Sequence, residues 1–174
     1  MKILLLTLAF AVLCASEISM FPKQFAKFSG NWLLLYIASN NTEKMSENSP
    51  LVIYVRSIDF DSDGKNITAK VYNKYNGQCL PVTSTGVRTQ GNFFTADYAG
   101  VNHFQIVYVT GKAVIVKKTN VDEDGVVSKF IALLGRTNTV SDLVFEEFKK
   151  WTRKEGIPEE NIVNVFSKDD CPVT

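Results

Sequence analysis

Histidine is nearly missing from this sequence of 174 residues, which has only His103. Cysteine and methionine number three each and tryptophan two. There is no second histidine, and no free cysteine beyond an expected disulfide, from which to build a nucleophile–base pair. No Cys-x-x-Cys, His-Glu-x-x-His, Gly-x-Ser-x-Gly or phosphate-cradling glycine loop occurs. Neither a metal nor a cofactor is expected. His103 alternates out of phase with Phe104 and is read as facing outward. Glu159-Glu160 and Asp169-Asp170 read as solvated surface, and Asp122, Glu123 and Asp124 as a hydrated turn before Gly125. The chain is therefore expected not to be an enzyme. An excess of one charge is also lacking: 19 basic residues meet 18 acidic ones, with no basic tract, which argues against a nucleic-acid or anionic-membrane partner.

The one long apolar run is N-terminal. "MKILLLTLAFAVLCAS" has a lysine after Met1, an apolar stretch and then small residues, the pattern of a secretory signal peptide cut after Ser16. It is too short for a membrane span, and no later run approaches the length of one. Residues 17–174 are then a single secreted domain, and loss of Lys2 cancels the formal net charge of +1. Cys14 leaves with the signal. Cys79 and Cys171 remain, and in a secreted chain two cysteines pair; two free thiols are the alternative. Asn40 and Asn66 each open an acceptor pattern for N-glycosylation. Monomer and dimer both stay open.

Turn signals recur evenly: Asp63-Gly64, Asn76-Gly77, Gly91-Asn92, Ala99-Gly100, Gly111-Lys112 and Asp124-Gly125. Between them lie runs rich in Val, Ile, Thr, Tyr and Phe. Eight strands are expected, at 31–38, 51–60, 66–75, 79–88, 92–98, 103–109, 113–120 and 127–135. Short connections make neighbours antiparallel, and an eight-stranded up-and-down β-barrel closes such a sheet without an exposed edge. Runs apolar on both faces suit a wall with a cavity inside and a helix outside. That C-terminal α-helix is "SDLVFEEFKKWTRKEG", with Ser141 as N-cap and Gly156 past its end. Its stripe of Val144, Phe148 and Trp151, with Phe145 beside it, packs on the outside of the barrel. "IVNVF" at 162–166 reads as a short ninth strand.

Together these features resemble a lipocalin. Gly30-x-Trp32 opens the first strand of "SGNWLLLYIASNN", followed by eight strands, a helix and a terminal cysteine. "ADYAGVNHFQIV", "TNVDEDG" and "EGIPEENIVNV" are similar to segments of the mammalian odorant-binding branch, with its aphrodisin-like and lipocalin-allergen members. The resemblance implies that Trp32 lies at a closed floor and that Arg136, in "LLGRTN", crosses over it. There are departures. "YVTGK" stands where the family's Thr-Asp-Tyr motif would be, and the Cys-x-x-x-Cys of some members is reduced to Cys79 with Thr83. The interior thiol of the isomerising lipocalin is absent.

Alternation and resemblance together give a ligand-facing set. It comprises Ile37, Leu51, Ile53, Val55, Ala69, Val71, Tyr98, Asn102, Phe104, Ile106, Val116, Lys118, Phe130 and Leu134. Such a wall suits a small hydrophobic molecule: an odorant, a pheromone or a fatty acid. Lys118 stands out. In phase with Val114 and Val116 it faces inward, where the branch often places an amide. It is expected to pair with a polar ligand head, helped by Asn102 or Tyr98; strand twist carrying it to the rim is the alternative. The expected function is that of a secreted carrier. A lipocalin acting through its surface, such as a protease inhibitor or a scavenger working through loops near 40–49 and 86–91, is the alternative.

Overall fold

In the computed structural model, residues 22–173 are described. The expected signal peptide, its cleavage point and Cys14 lie outside the described residues. After a short helix α1 (Pro22–Phe25) come nine strands: β1 (Gly30–Asn31), β2 (Leu33–Ser39), β3 (Ile53–Phe60), β4 (Asn66–Tyr75), β5 (Gln78–Gln90), β6 (Phe93–Asp97), β7 (Val101–Val109), β8 (Ala113–Val121) and β9 (Val127–Gly135). Helix α2 (Asp142–Lys154) and strand β10 (Ile162–Asn164) complete the fold.

All ten strands join one sheet in the order β1-β3-β4-β5-β6-β7-β8-β9-β2-β10. From β3 to β9 each strand pairs antiparallel with the next in sequence, as the short glycine turns dictate. The two edges then meet. β1 pairs with β3, and β2, one residue later, pairs with β9. The segment 30–39 thus closes the sheet into an up-and-down barrel. The count is ten strands and not eight. The expected strand 31–38 breaks at Trp32, where the chain passes from one sheet edge to the other. The short strand expected at 162–166 forms as β10, which adds on to β2 through Ile162↔Ala38 and Asn164↔Tyr36. The expected strand 51–60 begins at Ile53, because Leu51 and Val52 belong to the preceding turn.

The break at Trp32 has local causes. Gly30 adopts φ +111°, a left-handed conformation that a side chain resists, and an added Cβ would approach Arg136 Nη1 to 3.3 Å. Arg136 lies over the Trp32 ring at 3.9 Å and donates to the carbonyls of Asn31 (2.7 Å) and Ser29 (3.1 Å). Trp32 Nε1 donates to the Phe28 carbonyl at 2.6 Å. Phe25 is fully buried, stacked on Phe60 at 5.3 Å and edge-on to Phe94 at 5.5 Å. These aromatics seal one end of the barrel, aided by α1, an element not anticipated from sequence.

Helix α2 is capped as expected by Ser141, whose hydroxyl accepts from Val144 N, and Gly156 turns the chain at φ +73°. It buries Val144, Phe148 and Thr152 against Ile115, Ile131 and Leu133 on the outer face of β8 and β9. Trp151, expected in the buried stripe, is only half-buried and carries the Lys154 ammonium 4.2 Å above its ring.

The C-terminal segment is fastened twice. Cys79 and Cys171 form a disulfide across 92 residues of sequence. Arg56, at a bulge where the β3–β4 register shifts, grips Asp169 with two hydrogen bonds of 2.7 and 2.8 Å. The same guanidinium donates to the carbonyls of Val55, Cys171 and Pro172. Asp169→Ala strands this buried cation and is expected to cost about 3–5 kcal/mol in urea denaturation. Asp63→Ala, which removes the exposed partner of Lys65, is expected to cost less than about 1 kcal/mol.

Candidate ligand-binding site

Inside the barrel lies a cavity of about 210 Å³. All fourteen residues of the ligand-facing set, from Ile37 to Leu134, line it. So do eleven that the set omits: Phe28, Trp32, Leu34, Ile58, Phe60, Ile67, Ser84, Gly86, Ala96, Val114 and Ala132. Some of these follow from simple continuation. Ala132 lies in phase between Phe130 and Leu134, and Ile67 in phase with Ala69 and Val71. Others are hidden by bulges. Counting by twos from Ile53 and Val55 leads to Ser57 and Asp59, but the bulge at Arg56 shifts the phase and turns Ile58 and Phe60 inward. Gly86 is a matter of room: a Cβ there would meet Ile67 Cγ2 at 3.0 Å and Phe104 Cζ at 3.2 Å.

Strand register orders the wall of β7, β8 and β9 into rows. Asn102, Asn120 and Ser128 stand opposite one another, then Phe104, Lys118 and Phe130, then Ile106, Val116 and Ala132. The first row is nearest the turns 98–100 and 122–126, at the end away from Trp32. The Asn102 side-chain N–H groups are committed to the carbonyls of Ala96, Tyr98 and Gly100, while its oxygen accepts from Asn120. Asn102 therefore holds the β6–β7 turn, and its N–H groups are not free to help bind a ligand head.

Lys118 faces the cavity and is the one charged residue among those lining it. Strand twist does not carry it to the rim. Its ammonium lies 4.4 Å from the Phe130 ring centroid and forms no hydrogen bond or ion pair with any described residue. Burial among apolar groups lowers its pKa from 10.5 to about 8. Tyr98, the other titratable group in the wall, has its phenol pKa raised by burial and stays neutral.

The segment between β2 and β3 lies at the same end as the asparagine row. Lys44 pairs with Asp122 of the β8–β9 turn at 2.6 Å, a bond that holds the Asp122 carboxyl below the usual carboxylate range. On the other flank, Asn48 Oδ1 accepts from Asn76 N in the β4–β5 turn, and Asn73 donates to the carbonyls of Ser49 and Val52. Leu51, carried by this segment, reaches the cavity. His103 is exposed on the outer wall, with Nδ1 3.1 Å from Thr95 Oγ1. Asn40 and Asn66 are also exposed; Asn40 Oδ1 accepts from Lys129 N, and Asn66 Nδ2 donates to Asp61.

Known proteins match this architecture. A family model for the lipocalin / cytosolic fatty-acid binding protein family matches residues 29–169. The chain is 34% identical over 173 residues to Lipocalin Cav p 2.0101 of Cavia porcellus, covering 99% of each. It is similar to the crystal structure of a dog lipocalin allergen, with a TM-score of 0.81 and 36% identity, over 84% of this chain and 98% of that one. A complex of bovine odorant-binding protein with undecanal is similar at a TM-score of 0.62 and 30% identity, over 84% of this chain and 94% of that one.

Lys118 carries a stability cost with a definite pH dependence. Below about pH 8 the amine is charged in folded and unfolded chains alike, and the whole burial penalty is present. Between the folded pKa of about 8 and the ordinary 10.5 the folded state loses its proton first, so stability rises with pH. Lys118→Met is therefore expected to stabilise the protein by up to about 3 kcal/mol at neutral pH, and by progressively less toward about pH 10. Denaturant unfolding of both proteins at the two pH values checks this.

Proposed function

This chain belongs to the lipocalin / cytosolic fatty-acid binding protein family, and on that premise we propose that it is a secreted carrier of small hydrophobic molecules, odorants or pheromones, held reversibly in the barrel. The observation that carries the reading is the cavity: aliphatic and aromatic side chains surround it, and a single charge enters it. Binding is by burial, with no turnover of the ligand. The bovine relative seen with undecanal supports a medium-chain ligand. The Cys79–Cys171 disulfide supports an oxidising, extracellular setting. At roughly 0.8 kcal/mol per buried methylene, a ten-carbon chain gains about 8 kcal/mol before ordering costs, which sets the ceiling near micromolar affinity.

A surface-acting lipocalin is the weaker reading. The loops it relies on, near 40–49 and 86–91, lie at opposite ends of the barrel, since the first adjoins the start of β3 and the second the β5–β6 turn. They form no common face.

Displacement of a fluorescent apolar probe from the oxidised protein by alcohols, aldehydes and fatty acids tests the carrier reading. One saturable site with micromolar displacement is expected. Val116→Trp, which fills the cavity, is expected to abolish it. Probe binding that persists in a folded Val116→Trp protein would place the site elsewhere. Asp122→Ala frees Lys44 and loosens the segment 40–52 over the open end. It is expected to speed probe release in stopped-flow measurements by about two- to tenfold.

A further inference from the structure

We propose that Lys118 makes the cavity a reversible covalent trap for aldehydes, holding them as an imine on its side-chain nitrogen. This assignment rests on the carrier reading and narrows its ligand class.

The placement of the amine is the first ground. Lys118 stands midway along β8, between Asn120 toward the open end and Val116 toward the sealed end. Phe104 and Phe130 are its partners on the flanking strands, and its nitrogen lies over the Phe130 face with no carboxylate among the described residues to hold its proton. A chain bonded to this nitrogen has Ile106, Val116, Val114 and Leu134 available to cover it.

Reactivity is the second ground. An imine requires a free lone pair on nitrogen, and desolvation supplies one: with a pKa of about 8, an appreciable fraction of Lys118 is the neutral amine at physiological pH. Lys118 nitrogen attacks the carbonyl carbon and forms a C–N bond as the C=O π pair moves to oxygen. A proton passes from nitrogen to that oxygen, giving a carbinolamine. The nitrogen loses its second proton and the carbon its hydroxyl, together as water, and C=N forms. No oxidant or reductant takes part. Water returning to the cavity reverses the sequence and frees the aldehyde, so apolar walls that exclude water prolong capture.

Charge is the third ground, and it separates aldehydes from the other head groups. An alcohol accepts one hydrogen bond and leaves the buried charge in place. A carboxylate brings a second ion to be desolvated, and in a buried pair that cost roughly cancels the attraction. Asn102 has no N–H left to donate to the carboxylate's remaining lone pairs. An imine, a far weaker base than an amine, removes the charge from the apolar wall.

The test incubates the oxidised protein with decanal and cyanoborohydride, then maps the reduced adduct by mass spectrometry, with probe displacement by decanol run in parallel. A decyl adduct is expected on the peptide containing Lys118, in about one-to-one ratio. Excess decanol, competing for the cavity, should suppress it by about tenfold or more while adducts on surface lysines persist. Lys118→Met, checked for folding by circular dichroism, should lose this adduct alone. Decanol and decanal that displace the probe while Lys118 stays unmodified would overturn the imine and leave the carrier reading intact. Adducts spread over exposed lysines and insensitive to decanol would overturn it equally. Failure of both ligands to displace the probe would overturn the carrier reading itself.

Discussion

The closure of the sheet through residues 30–39 is the constraint on which the other features depend. One stretch of chain must hydrogen-bond to β3 with its first residues and to β9 with the rest. Gly30 supplies the left-handed turn, and Trp32 is the pivot between the two edges. Arg136, just beyond the last residue of β9, ties both together by covering the indole and bonding the carbonyls of Ser29 and Asn31. Without this clamp β3 and β9 would present free edges and the cavity would lose its floor. The tryptophan is thus a structural plug, and its bearing on function is that it closes one end of a cup.

Closure gives β8 and β9 two distinct apolar jobs. On β8 and β9, Val116, Ala132 and Leu134 face the cavity, while Ile115, Ile131 and Leu133 face helix α2. The period-2 pleat separates a face left unfilled from a face packed tight. The helix keeps the outer face dry; the sealed end and the 40–52 segment restrict the inner one. Lys118 breaks the apolar rule of the inner face. Among the lining residues it is the position where local chemistry conflicts with the core, and such conflicts mark functional sites. Its burial cost makes sense if the amine serves the ligand.

The barrel was readable because its signals are local. Glycine turns at even spacing and β-branched runs fix an antiparallel meander, and Ser141 and Gly156 bracket α2. The ligand-facing set was readable wherever alternation runs unbroken, as from Val116 through Lys118 on β8. It was lost wherever a bulge reverses the phase, as at Arg56 before Ile58 and Phe60. Tertiary contacts with no local signature stayed hidden. Phe25 gives no sign in sequence that it caps the barrel, and Asp169, read as solvated surface, is the buried partner of Arg56. Asn102 lines the cavity, but its hydrogen bonds to the β6–β7 turn depend on a backbone path that spacing does not reveal.

Methyl-resolved NMR during titration with decanol tests the central claim, a ligand cavity bounded by one face of these strands. The account predicts saturating shifts at the methyl groups of Val116, Ala132 and Leu134. It predicts small ones or none at Ile115, Ile131 and Leu133, their immediate neighbours on the face beneath α2. Shifts confined to the outer set, or to methyls on the exposed surface, would contradict it and place the binding site outside the barrel.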